Sequence, residues 1–307
     1  MLGSTFQIEQ VIFAASMSES FKIHGGLLTV GLIYGANYSI AKIVMPEYVD
    51  AFGLILVRVF VSIILLWIIQ RVWVKEWMHL TDLKRFFLCA IFGVATNQLA
   101  FFKGLSMTSP ISASIIMTIN PVMVLIFSWL ILKERVTALK VLGILLGATG
   151  AALMISRNGI DFNKNNFVGD LLILINATSY ALYLVLVKPL MQKYHPISVI
   201  TWTFTIGLFL VLPFGWQQAI DVRWARLPTE VYVSLAYIIL ATSVIAYVIN
   251  VWALRRVNPS LVGYYIYLQP LFATLIAVVF FDLIFGWHEM IYAVLIFAGV
   301  YLVSVRK

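Results

Sequence analysis

The sequence predicts an all-α integral membrane protein of ten transmembrane helices, arranged as two inverted five-helix repeats. Three observations carry that prediction. Of 307 residues, 62 % are hydrophobic and 11 % charged, against roughly a quarter charged in soluble domains. The charged residues fall in short clusters separated by apolar stretches of about 20 residues, the length that crosses a bilayer as a helix. Finally, prolines recur in register when the chain is slid along itself by 149 positions: Pro110 over Pro259 and Pro121 over Pro270, with Gly150 over Gly299. So little polar sequence remains that a large extramembrane catalytic domain, a nucleotide-binding cassette and a secreted disulfide framework are excluded. The single Cys89 cannot form an intrachain disulfide.

Taken in order, residues 1–21 read as an N-terminal tail. The apolar run Gln7 to Met17 has no preceding basic residue, is interrupted by Glu9 and is too short to span, so it is a poor secretory signal. Translation from Met17 is an equal reading. Spans follow near 24–43, 52–73, 85–105, 110–132 and 137–156, making a first repeat over 22–156. After a linker at 157–167, spans near 169–190, 197–215, 230–254, 260–281 and 287–305 make a second repeat over 168–307. The runs are too long and unbroken for barrel strands, and a helix satisfies its own backbone in lipid.

An odd number of spans per repeat turns the second repeat upside down relative to the first. That is a transporter signature, since two similar packings of opposite orientation let one central site face either side. With the N-terminus inside, 14 Lys and Arg fall on the cytoplasmic side and 6 on the outer side, with Arg58 left inside a span. Both termini are therefore expected to be cytoplasmic, and the net charge of +8 is a topology signal rather than a nucleic-acid one.

Asn120-Pro121 and Gln269-Pro270 lie near the middle of the fourth and ninth spans. A proline there frees the carbonyl four residues back, so Pro121 and Pro270 are expected to act as hinges or site walls. Polar residues recur on helical faces: Asn176, Tyr180 and Tyr183 at i, i+4 and i+7, and Ser243, Tyr247 and Asn250 at the same spacing. Tyr34 with Asn37, Asn97 with Gln98, Thr118 with Asn120, and Tyr264 with Tyr267 and Gln269 add to them. Single polar residues serve as interhelical glue, but so many on so many helices predict an amide- and tyrosine-lined cavity that binds substrate.

Arg58 is the one charge deep in a span, about 12 Å along a helix from Asp50. Pairing with backbone or amides, binding a substrate carboxylate and snorkelling to the interface are all open to it. None of the 13 Asp and Glu lies mid-span; Asp170 and Asp282 stand at span ends. That argues against a carboxylate proton relay and against organic cations as substrates. Gly31 with Gly35 and Gly143 with Gly147 form small faces for close packing. The four histidines form no metal-spaced cluster, so neither metal nor cofactor is expected, and no enzyme chemistry.

Several of these segments together resemble the EamA-type members of the drug/metabolite transporter superfamily, over about 24–305. They are Ile33-Tyr34-Gly35-Ala36-Asn37-Tyr38, Arg58, Asn120-Pro121 running to Lys133-Glu134-Arg135, Gly143 to Gly150, Asn258-Pro259, Gln269-Pro270 and Ala298-Gly299-Val300. The resemblance implies an inverted-repeat transporter with a central cavity formed by both halves, often a bacterial exporter of amino acids or other small metabolites. Around 282–292 the second repeat departs from the pattern, lacking the usual glutamate after its fourth span and the glycine matching Gly143. The expected function is secondary transport, as export, of small neutral or zwitterionic metabolites by alternating access in the plasma membrane. A drug or nucleotide-sugar carrier of the same fold is the alternative, with an integral-membrane enzyme behind it. The expected partners are a small-molecule solute, membrane lipid and at most a second copy of the chain as a homodimer, with no nucleic acid.

Overall fold

The computed structural model describes residues 2–108, 113, 116–156, 167–281 and 287–304. Pro110, Arg157, Lys164, Asp282, Arg306 and Lys307, used above for register, span ends and topology, lie outside the described residues. Those described are helical, with turns between helices and no strand among them. Among the described residues six helices are long and apolar enough to cross a membrane, so the chain is a multi-pass membrane protein.

The helical elements run α1 (Leu2–Val44), α2 (Ala51–Val74), α3 (Leu80–Met107), α4 (Asn120–Leu132), α5 (Ala138–Ser156), α6 (Phe167–Lys193), α7 (Pro196–Asp221) and α8 (Thr229–Leu254). Then come α9, built from Pro259–Tyr264, a 3₁₀ turn at Tyr265–Tyr267 and Leu268–Phe281, and α10 (Trp287–Ser304). The stretch read as an N-terminal tail is helical from Leu2 and runs on into the first span as α1. No proline precedes Pro46, and the Ser18-Glu19-Ser20 stretch lacks the backbone chemistry that stops a helix.

Ends are set by local chemistry. Pro196 and Pro259 occupy the first turns of α7 and α9, where the missing N–H costs nothing. Lys75 and Lys133 take left-handed conformations, φ 55° and 56°, at the C-terminal ends of α2 and α4. The Lys133 amide there donates to the Ser128 carbonyl, closing the helix as a glycine usually does. The side chain of Gln218 on α7 accepts from the amides of Phe52 and Gly53, both at 2.9 Å, capping α2 from outside.

Helices pack in pairs: α5 on α10, α2 on α7, α3 on α6, α1 on α8 and α9, and α4 on α6. Apolar side chains also face outward. On α2, Phe60, Ile64 and Ile68 form an exposed stripe four residues apart, a surface suited to lipid tails. The α5–α10 contact is close because it is glycine-lined. A Cβ on Gly143 would come within 2.8 Å of the Gly299 carbonyl oxygen, and one on Gly147 within 2.0 Å of the Tyr264 hydroxyl. Tyr264 fills this notch and donates to the Gly143 carbonyl at 2.6 Å.

Among the described residues the backbone departs from regular α-helix within or beside four of the helices that contribute to the centre of the bundle. Wide π-turns occur at Ile91–Ala95 in α3 and Ile238–Ile245 in α8. Next to α4, Thr118 and Ile119 form a turn just before Asn120-Pro121, and α9 tightens to 3₁₀ at Tyr265–Tyr267, just before Pro270. Such irregular backbone at membrane depth is tolerated where protein or a cavity covers it, and π-turns often accompany functional sites.

Candidate substrate cavity

Between these interrupted helices lies a cavity of about 70 Å³. One water needs about 10–15 Å³, so the space admits several waters or a small solute. Tyr34, Asn37 and Tyr38 enter it from α1, Arg58 from α2, and Asn97, Gln98, Phe101 and Phe102 from α3. Met117 precedes α4; Asn176 and Tyr180 come from α6, Thr242 and Tyr247 from α8, and Gln269 from α9. Both sequence halves therefore contribute, and no Asp or Glu is among the lining residues.

Arg58 is 4 % exposed, which removes snorkelling as its explanation. Its Nε donates to Ser243 Oγ at 2.5 Å, and the guanidinium lies over the Phe102 ring, 5.0 Å from the centroid. Both contacts are neutral. The ion pairs seen among the described residues, Lys140–Glu134, Lys193–Asp82 and Arg256–Glu19, all lie away from the cavity. A buried cation without a counter-ion is costly, and none of the lining residues supplies one.

The π-turns orient this constellation. Ser243 Oγ donates to the Ile238 carbonyl at 3.0 Å inside the α8 turn, leaving its lone pairs for Arg58. Likewise the Tyr247 hydroxyl donates at 2.8 Å to the carbonyl of Gly93, inside the α3 turn. Asn250 Nδ2 donates to the Tyr180 hydroxyl at 2.9 Å, Asn176 Nδ2 to the Asn97 carbonyl at 2.8 Å, and the Tyr38 hydroxyl to Gln269 Oε1 at 3.1 Å. After these bonds, three buried acceptors on the cavity residues have no hydrogen-bond donor: Asn37 Oδ1, Gln98 Oε1 and Asn176 Oδ1. Unmet buried acceptors are expensive.

Of the residues singled out in the sequence, Tyr34, Asn37, Arg58, Asn97, Gln98, Asn176, Tyr180, Tyr247 and Gln269 are brought together in the lining. Seven stand outside it, Ser243 among them as the partner of Arg58. Asn250 supports from behind, through Tyr180. Asn120 is fully buried and its Nδ2 donates to the Ala177 carbonyl at 2.5 Å, tying α4 to α6. Tyr183 packs on Gly93, Tyr264 and Tyr267 pack on Gly147, and Thr118 sits in the turn before Asn120. Pro121 and Pro270 are buried at the two helix breaks. Sequence reasoning missed Tyr38, Phe101, Phe102, Met117 and Thr242. Tyr38, Phe101 and Phe102 follow Tyr34, Asn97 and Gln98 by four residues, so helical spacing could have found them. Met117 and Thr242 carry no such signal. Among the described residues no group of His, Cys, Asp and Glu could hold a metal ion.

The chain is 26 % identical to a protein of Archaeoglobus fulgidus named "Uncharacterized transporter", over 93 % of this chain and 98 % of that one. It is 26 % identical to the "Uncharacterized transporter YyaM" of Bacillus subtilis, over 82 % and 83 %. The "Protein WALLS ARE THIN 1" of Arabidopsis thaliana is 24 % identical, over 94 % and 84 %. A solved crystal structure shares the fold with a TM-score of 0.75 at 17 % identity, covering 93 % of this chain and 96 % of that chain. The sequence pattern of the EamA-like transporter family matches residues 22–156 and again 167–305. Matched along nearly its whole length, the chain belongs to the EamA-like transporter family.

Proposed function

We propose that the protein is a secondary transporter that exports small neutral or zwitterionic metabolites, amino acids foremost, by alternating access through the α1–α3, α6, α8 and α9 cavity. The observation that carries this reading is the pairing of an uncompensated Arg58 with three donor-less amide oxygens in one carboxylate-free cavity. A zwitterion supplies both missing partners, a carboxylate for the guanidinium and an ammonium for the acceptors. A nucleotide sugar would bring a diphosphate to a cavity with a single cation, which disfavours that alternative. The relatives' names point to transport rather than catalysis.

In this reading ten spans form two inverted halves. Exchanging the halves turns α1 into α6, α2 into α7, α3 into α8, α4 into α9 and α5 into α10. The pairs α2–α7 and α5–α10 then map onto themselves, α3–α6 onto α8–α1, and α4–α6 onto α9–α1, and every one of these contacts is present. The interrupted helices exchange in the same way. Support for cytoplasmic termini is the 14 to 6 distribution of basic residues. Single cysteines at the exposed positions Lys84 and Gln217, in a Cys89→Ala background, are expected to label with an impermeant reagent from opposite sides, Gln217 alone from outside intact cells. Labelling of Lys84→Cys from outside would reject this orientation.

Substrate class is tested in proteoliposomes loaded with unlabelled solute. Counterflow of a labelled amino acid should be competed by other amino acids and poorly by choline or another permanent cation. Preference for the permanent cation would overturn the assignment.

A further inference from the structure

The central cavity is closed off from a second, larger one. This second cavity, about 650 Å³, lies where the turns after α4 and α8 meet, and is lined by Glu134, Lys140, Lys188, Asn258 and Ser260 among others. Along α4 and α9, the contact between the two helices falls between the residues that line the two cavities, and we read it as the barrier. Val124 is fully buried, and a Cβ on Gly263 would fall 2.7 Å from its Cγ2.

The same two helices are tied at their ends by one carboxylate. Glu134, whose side chain is 7 % exposed, follows α4. It accepts from Ser260 Oγ at 3.1 Å and from Asn258 Nδ2 at 3.3 Å, at the start of α9, while Lys140 of its own half pairs with it from α5. Asn258 stands at the position from which asparagine ordinarily caps its own helix, yet its side chain makes no cap bond and reaches across to Glu134. On the other flank Lys188 of α6 donates to the carbonyls of Leu254 and Val257, fixing the α8–α9 turn within the second half. Glu134 thus links the first half to this turn from α4, as Glu19 of α1 does through Arg256.

We infer that Glu134 is the latch of a gate whose arms are residues 120–134 and 258–264, and that its bonds to Asn258 and Ser260 hold that end of the bundle shut while the central cavity is closed to it. The arms end at the breaks already described, the turn at Thr118 and Ile119 and the 3₁₀ turn at Tyr265–Tyr267, which are the places where a helix bends at least cost. Release of the latch lets the arms part at Val124 and Gly263 and joins the two cavities. The chemistry is suited to a switch: the bonds are charge-assisted, which makes them specific, and they border the larger cavity, from which water can replace them. The role as a gate rests on the transport reading; the latch itself is testable without it.

The test is the reactivity of a cysteine at the barrier. Val124→Cys in a Cys89→Ala background is treated with an impermeant cationic methanethiosulfonate from the face bearing Glu134, with no solute present. Adding Glu134→Ala should speed modification at least ten-fold, and so should Asn258→Ala combined with Ser260→Ala, which leaves Glu134 in place. A control cysteine at Gln217 should keep its rate. If the first variant fails to reach the membrane, the second decides. A rate within two-fold of the parent for the Asn258→Ala, Ser260→Ala variant overturns the latch. Because labelling needs no transport, a silent transport assay alongside accelerated labelling would reject the transport reading and keep the latch.

Discussion

Arg58→Gln is expected to raise the apparent KM for carboxylated solutes about ten- to a hundred-fold, while the KM for the corresponding amides stays within about two-fold. A hydrogen bond to a charged group contributes roughly 1.5–3 kcal/mol, and each 1.4 kcal/mol is ten-fold in binding. Glutamine keeps a donor for Ser243 and removes only the charge, so a purely structural Arg58 would lose amide and acid transport together. Arg58→Lys retains the charge but gives up the planar fork and the position over Phe102, so it should recover only part of the affinity. Competition of an amino acid and its amide against labelled substrate, normalised to reconstituted protein, separates these outcomes. Equal loss for both solutes would assign Arg58 to packing.

Gly147→Val should abolish accumulation of folded protein, the largest stability effect foreseen for any single change. Its Cβ would sit 2.0 Å from the Tyr264 hydroxyl and 2.7 Å from the Tyr267 ring. Both tyrosines are fully buried, so neither ring has room to retreat. Overpacking of this kind costs about 1–3 kcal/mol for ordinary insertions and more where nothing yields. Tyr264→Phe, by contrast, should cost about 1 kcal/mol through loss of its bond to the Gly143 carbonyl. The milder Gly147→Ala, combined with Tyr264→Ala, should regain part of the loss, because neighbouring sites do not add. Thermal unfolding in detergent followed by size-exclusion chromatography reads all of these. A Gly147→Ala protein with wild-type yield and Tm would show that α5 and α9 do not approach so closely.

Composition and spacing made the membrane class and the polar lining legible, because lipid leaves few ways to place an amide or an arginine. Arg58, Asn97 and Gln98 stood out against apolar neighbours. Phe101, Phe102 and Met117 did not, since an apolar side chain on a span reads the same whether it faces lipid or a cavity. Asn120 misled for a geometric reason: the turn at Thr118 and Ile119 resets the helical phase, so the amide beside Pro121 points to the Ala177 carbonyl. The π-turns at Ile91–Ala95 and Ile238–Ile245 were invisible, having no proline and no distinctive composition. They are recognised only through the carbonyls of Gly93 and Ile238 that hold Tyr247 and Ser243.

The exchange of packing partners between halves bears on how the chain is made. During synthesis α2 and α3 enter the bilayer long before α7 and α6, on which they pack. Until α8 arrives, Arg58 lacks Ser243, and until α6 arrives the Asn97 carbonyl lacks Asn176. The nascent first half therefore carries polar surfaces that have no partner until the second half completes the bundle, and an unpaired polar group in lipid is costly.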